Sequence, residues 1–453
     1  MRQNLVLKDK HNTMVSAPVH RLIFTLAIPG IISMVITSIY NITDTYFVSN
    51  ISTSASGAVG VSYSLMIIMQ AIGFTIGHGS GNYISRLLGK KQNEYASKVA
   101  AIGFFTALGL GITLACLGLI FLEPLVYTLG ATETIAPYAK DYIKYILLGA
   151  PYITATFVLN IILRFQGNAY FGMLGIGTGG ILNIILDPIF IFKLKMGIKG
   201  AALATVVSQL ISFCILYYHC RIGSNIKIEI KNFSFTQAIY KKIIYGGLPS
   251  FSRQALGSIS IIFFNKVAGT FGDAIIASMS IVMKIFLFAI SIIYGFGQGY
   301  QPVCGFNYGA KRYERVMDAF WLYFKTCIFM SIIFGIIGFL FSNEAILFFI
   351  KDDIEVVTVG SRALRFQSIV FPFTVWFVVV NITQQVIGKS TQAFILSSSR
   401  QGFFFIPVIF ILPYFMGITG IQLCQPVSDI FSFLLAVPMG VRLIKEIKIM
   451  QDK

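Results

Sequence analysis

Residues 77–91 read GHGSGNYISRLLGKK, and 220 positions later residues 297–311 read GQGYQPVCGFNYGAK. The two stretches share Gly77 with Gly297, Gly79 with Gly299, Gly89 with Gly309 and Lys91 with Lys311. The same displacement lays Pro29 on Pro249, Glu94 on Glu314 and Ser208 on Ser428, and sets GIKG (197–200) over GITG (417–420). One offset holding near both ends of each half marks an internal duplication. Residues 1–220 and 244–453 are therefore read as two copies of one unit, joined by 221–243 as a cytoplasmic linker.

Composition says what each copy is made of. Hydrophobic residues supply 56% of the 453 positions and charged residues only 12%, about half the usual ~25% for a soluble domain. The mean hydropathy is +0.78. Apolar runs of about 20 residues, the length a helix needs to cross a bilayer, recur throughout. Twelve spans are expected, near 22–49, 57–85, 99–122, 143–163, 172–192, 199–219, 244–268, 275–304, 318–341, 357–387, 392–414 and 418–441. Six spans per copy is an even number, so both copies enter the membrane from the same side. That is a parallel repeat about an axis along the membrane normal, an arrangement common in secondary transporters. The fold class is an all-α polytopic membrane protein, with twelve transmembrane helices in two pseudo-symmetric six-helix lobes. The first run exceeds the spanning length and must tilt or bend, with Pro29 as the candidate bend point. Residues 1–21 are polar and basic with no apolar core, so no signal peptide is expected. The six cysteines contain no CxxC pair and the four histidines show no ligand spacing. Neither a disulfide framework nor a metal cluster follows.

The net charge is +17, which in another chain suggests nucleic acid. Here the positive residues alternate with the spans. Arg2, Lys8, Lys10 and Arg21 precede the first, and Arg86, Lys90, Lys91 and Lys98 follow the second. Lys241 and Lys242, then Lys311, Arg312 and Arg315, then Arg442, Lys445 and Lys448 continue the series. The joints between, such as SNISTSAS (49–56) and KDDIE (351–355), are neutral or acidic. The positive-inside rule places both termini in the cytoplasm, and the charge serves the lipid surface rather than nucleic acid. Lys193, Lys195 and Lys199 run against that rule and are outvoted.

The duplication also exposes where the copies differ. Asp187, in NIILDP (183–188), falls opposite Pro407, and Asn183 opposite Phe403. Asp44, in NITDTYF, falls opposite Phe264, and Thr205 opposite Gln425. The second copy has almost nothing acidic within its spans, so a buried carboxylate site is expected only in the first. Depth agrees. Asp44 lies six residues before Asn50, Asp187 six before Lys193, and Thr205 six after Lys199, which at about 1.5 Å per residue places all three about 9 Å below the outer surface. Asn183 is one turn deeper on the face of Asp187. Pro188 removes a backbone donor and frees a carbonyl near residue 184, allowing a bend. Two acids in a poorly solvated layer repel each other, so the set calls for a positive ligand. A proton carried by one acid and a sodium ion held by carboxylate, amide, hydroxyl and backbone oxygens both satisfy it.

With those residues assembled, the chain resembles the multidrug and toxic compound extrusion (MATE) transporters over essentially its whole length. The resemblance rests on two six-span halves, IPG and LPS opening them, MGIKGAALATVVSQ (196–209) and NIILDP. It is most similar to the DinF-like branch, whose ion-site pattern maps onto Asp44, Asn183, Asp187 and Thr205. Tyr40, one turn before Asp44, and Pro29 match positions that line or bend the first span in that branch. The acids that the NorM-like branch carries in spans seven and ten have no counterpart, since FSRQALGS (251–258) offers Arg253 and Gln254. The resemblance implies export of amphipathic, often cationic, small organic compounds in exchange for H+ or Na+, by alternating access between the lobes. It implies a monomer in the plasma membrane, with no cofactor beyond the coupling ion.

The remaining features fit around that reading. GHGSG (77–81) and GIGTGG (175–180) superficially suggest phosphate loops, but neither follows a strand and GxxxxGK[ST] is absent, so no nucleotide site and no enzyme activity are expected. Arg164, Arg253, Lys266 and Lys284 lie within or near spans, where long side chains snorkel. The 42 Phe and 14 Met suit an adaptable apolar cavity. The alternatives are a lipid-linked precursor flippase of the same superfamily, which would need several cavity cations to hold a diphosphate, or a membrane scaffold with no transport role.

Overall fold

The computed structural model describes residues 11–222, 226–350 and 353–452. Of the charges that set the orientation, Arg2, Lys8, Lys10, Lys351 and Asp352 lie outside the described residues. Twelve long helices carry the chain: α1 Val19–Ser49, α2 Thr53–Gly89, α3 Asn93–Ile120, α4 Ala136–Phe165, α5 Ala169–Pro188 and α6 Ile198–Ile222, then α7 Gln237–Ala268, α8 Asp273–Gly309, α9 Tyr313–Leu340, α10 Ile354–Ile387, α11 Ser390–Met416 and α12 Ile418–Gln451. The described residues contain no strand. In a bilayer core without water, a helix is the one open-chain way to satisfy every backbone group internally.

Eleven of these helices are long and apolar enough to span. The exception is α7, long at 32 residues but interrupted by Ser250, Ser252, Arg253 and Gln254 in mid-helix. Its polar centre lowers its hydropathy below that of its neighbours. α1 runs through Pro29 without a break, the Ser33 hydroxyl donating to the Pro29 carbonyl at 2.8 Å.

The helices gather into two compact units. One holds residues 25–247 with the described residues before 17, and the other holds 17–24 with 248 onward. Within the first, α4 is the central helix and packs on α2, α3 and α6; within the second, α10 packs in the same way on α8, α9 and α12. Their apolar stretches are 72% and 67% buried, against at most 50% in any other span. That inequality explains why the outer helices keep bulky apolar faces turned outward. On α9, Phe329, Ile332, Ile333, Ile336, Ile337 and Leu340 are all exposed, as a lipid-facing surface requires.

The 220-residue offset extends into backbone detail. α2 ends with Gln92 N–H donating to the Leu87 carbonyl (2.9 Å) and Lys91 N–H to Leu88 (3.0 Å). α8 ends with Arg312 on Asn307 (2.8 Å) and Lys311 on Tyr308 (3.2 Å). Both ends are Schellman closures, and both place a lysine in the left-handed region, Lys91 at φ 61° and Lys311 at φ 57°, where glycine is the usual occupant. Short helices Leu122–Thr128 and Ser342–Leu347, unremarked in the hydropathy pattern, also start 220 residues apart. Gly197 and Gly417 share φ 57°.

Lys199, one of the lysines that run against the charge pattern, pairs with Asp141 at 3.4 Å. Lys266 and Lys284 are exposed. Arg164 is not snorkelling: only 6% of it is exposed.

Candidate functional site

The first unit brings the four polar residues of its outer layer together. Asn183 and Asp187 lie one turn apart on α5, and the Asn183 amide donates to Asp187 Oδ1 at 3.2 Å. The same amide donates to Thr205 Oγ1 on α6 at 3.3 Å. Asp44, on α1, lies within electrostatic reach of Asp187. Exposure is 0% for Asp187, 2% for Asn183 and 3% for Thr205. Asp44 Oδ1, Asp187 Oδ2 and Asn183 Oδ1 receive no hydrogen bond. Three buried acceptor oxygens thus converge with no donor, and buried polar groups are seldom left that way.

Local sequence explains why α1, α5 and α6 come so close. A Cβ added at Gly179 would stand 2.9 Å from Ser212 on α6, and one at Gly180 would stand 2.8 Å from Ile36 and 3.6 Å from Tyr40 on α1. Gly175 abuts Leu216 and Gly177 abuts Ile36 in the same fashion. The GIGTGG run is a packing surface with two faces, one for each neighbouring helix. Asn183 and Asp187 follow one and two turns after Gly179 and inherit that proximity. Beyond Pro188 the helix widens into a π-helical turn, Ile189–Lys193, with Leu194 N–H reaching back to Ile189 at 2.8 Å. Proline cannot donate to the preceding turn, and a widened turn is the local answer.

Tyr40 lies half-buried beside Gly180 and within electrostatic reach of Asp44 and Asp187. Pro29 is buried fifteen residues before Asp44, away from this cluster. One neighbour was not anticipated. Tyr142 on α4 is 1% exposed, with its hydroxyl beside Thr205 and no hydrogen bond of good geometry. It sits six residues into α4, the depth shared by Asp44, Asp187 and Thr205. A tyrosine near a helix end passes for an interfacial aromatic, so residue type hid what depth would have shown.

The second unit holds one buried carboxylate of its own. Asp429, on α12, is 1% exposed. Arg400 donates to it through Nε at 2.7 Å and a terminal nitrogen at 3.4 Å. Gln367 and Gln425 each add a donor at 2.8 Å. Arg400 lies in the π-helical turn Ser399–Phe404 of α11, whose widened backbone is held by Ser428 Oγ on the Arg400 carbonyl and Ser260 Oγ on that of Gln401, both 2.5 Å. Asp429 is therefore neutralised and saturated with donors. In the repeat Asp429 has Gln209 opposite it, and its partner Arg400 stands 29 residues away.

The sequence profile of the MatE family matches residues 29–189 and again 249–411, one match per unit. The chain is 29% identical over 405 residues to the multidrug export protein MepA of Staphylococcus haemolyticus, covering 87% of each chain. It is 28% identical to MepA of Staphylococcus aureus (strain NCTC 8325) over 421 residues, 89% of this chain and 90% of that one. An outward-facing multidrug resistance MATE transporter of the MOP superfamily superposes at TM-score 0.90 with 26% identity, covering 97% of this chain and 98% of that chain.

Proposed function

The chain belongs to the MatE family of membrane transporters, and from that premise we propose that it is a secondary antiporter exporting amphipathic, often cationic, organic compounds. Uptake of H+ or Na+ drives the export, with the two lobes alternately exposing the substrate to either side of the plasma membrane. The protein is a transporter and not an enzyme, and MATE transporters need no cofactor.

The observation that supports the coupling is the cluster of Asp187, Asn183 and Thr205 with Asp44 within electrostatic reach, three of its acceptor oxygens left without donors. Two carboxyl groups this close, in a buried layer, share a proton or clasp a cation. The same oxygens suit a hard monovalent ion and a proton. Releasing either one leaves two facing anions, an arrangement costly enough to favour a different conformation of α1. Tyr142 and Tyr40 border the set and shape its access. Pro29 offers α1 a place to bend as the site empties. Export of drugs, named in the staphylococcal relatives, supports the substrate class. Both termini in the cytoplasm and a monomeric state complete the proposal.

Proteoliposomes loaded with ethidium test it. Export is expected when an inward H+ or Na+ gradient is imposed, each tried alone, and is expected to stop when both are dissipated. Asp187→Asn is expected to reduce gradient-driven export at least tenfold. Undiminished export by that variant sinks the coupling assignment.

A further inference from the structure

The polar centre of α7 holds a charge that the coupling reading leaves unused. Arg253 stands 15 residues before the last residue of α7 and 11 after Lys242, which at about 1.5 Å per residue is about 16 Å or more from either side of the membrane. No arginine can snorkel that far. Yet Arg253 has no carboxylate partner among the described residues. Its terminal nitrogens reach only Asn381 Oδ1 at 3.5 Å and Ser250 Oγ at 3.3 Å, both long for hydrogen bonds to a cation. The guanidinium lies over the Tyr294 ring, 5.7 Å from its centroid. Tyr294 also meets Arg400, the arginine already neutralised by Asp429. Both Arg253 and Tyr294 are half-exposed rather than sealed in the interior.

A guanidinium at mid-bilayer depth without a counter-charge is a functional group by default. Neighbours that only partly satisfy it leave donor capacity for an incoming acceptor, and its planar fork matches a carboxylate. Resting on the export reading, we infer that Arg253, supported by Tyr294 and Asn381, is an anion-recognition subsite in the second unit that takes the carboxylate of an amphipathic substrate. The acid pair of the first unit and this cation of the second give the chain two binding centres of opposite sign. Substrates carrying a carboxylate on an aromatic body then belong to its range alongside purely cationic ones.

The probe is a matched pair of dyes, rhodamine 110 with a free carboxylate and its methyl ester rhodamine 123. Their affinities for the purified full-length protein in detergent are read by fluorescence anisotropy. Rhodamine 110 is expected to bind at least tenfold more tightly than the ester. In Arg253→Gln that ratio is expected to collapse toward one, and in Arg253→Lys part of it should return, since a point charge remains but the fork is lost. A ratio near one in the unaltered protein overturns the proposal, as does a ratio unchanged in Arg253→Gln or no binding of either dye. If Arg253→Gln fails to fold, the unaltered protein and Arg253→Lys still decide it. Failure of ethidium export with the dye ratio intact would count against the antiport reading and not against this subsite.

Discussion

Each half of this molecule buries carboxyl groups among twin helix layers, and only one half supplies the counter-charge. In the first, Asp44 and Asp187 face each other with an amide and a hydroxyl for company and no cation. In the second, Asp429 is gripped by Arg400, Gln367 and Gln425. The backbones are alike to the level of a shared left-handed lysine, so the difference lies in side-chain chemistry. A compensated charge is a structural tie. An uncompensated pair waits for a ligand, because a buried charge without a partner is costly until something binds it.

The largest effect should come from breaking the compensated pair. Arg400→Ala leaves Asp429 buried beside two amides and no cation, and a loss of about 3–5 kcal/mol in unfolding stability is expected. The double variant Arg400→Met with Asp429→Leu should recover most of that loss, since it removes both charges together. Thermal and denaturant unfolding of the purified variants in detergent would measure both. Asp187→Asn should behave oppositely, removing one of two repelling groups at no cost in stability while impairing transport. Equal stabilities for Arg400→Ala and Asp187→Asn would erase the distinction between tie and ligand site.

That contrast was only half legible in the sequence. The spans were readable because a bilayer imposes a length and a composition on every helix. The duplication was readable because glycines and prolines needed for close packing persist at one offset. Depth counted from the flanking residues placed Asp44, Asp187 and Thr205 in one layer, since a helix advances at a fixed rise per residue. Asp429 escaped because its meaning depends on Arg400, brought to it by a π-helical turn that no periodicity announces. Arg253 reads as a snorkelling side chain by residue type, although nine residues into the expected span 244–268 is already too deep for an arginine to reach water.

A smaller effect probes how the first half is assembled. Gly180 lets α5 approach α1, and a Cβ there would stand 2.8 Å from Ile36. Its counterpart in the repeat is Arg400, so the second half fills with a long side chain the space that the first half closes by contact. Gly180→Ala should push the helices apart at a cost of about 1–3 kcal/mol, and should weaken ion coupling in the ethidium assay by separating Asp44 from Asp187. Restoring room with Ile36→Ala, which removes the Cγ2 methyl that the new Cβ would meet, should return part of the coupling. A Gly180→Ala variant with normal stability and normal coupling would mean that the carboxyl pair does not depend on this contact.

The smallest effect tests where the halves are the same. Lys91 and Lys311 occupy the left-handed position of matching Schellman closures, a conformation that costs an L-residue with a Cβ roughly 1–2 kcal/mol relative to the right-handed helix. Glycine adopts it without that strain but gains freedom in the unfolded chain, which returns part of the benefit. Each of Lys91→Gly and Lys311→Gly is therefore expected to raise stability by about 0.5–1 kcal/mol, and by similar amounts, because the hydrogen bonds around them match one for one. The two positions lie in different units and share no partner, so the double variant should show the sum. Unequal gains would mean that the lysine side chains, rather than the backbone, distinguish these turns. The likeness of the halves would then stop at the helix ends, as it already does at their polar centres.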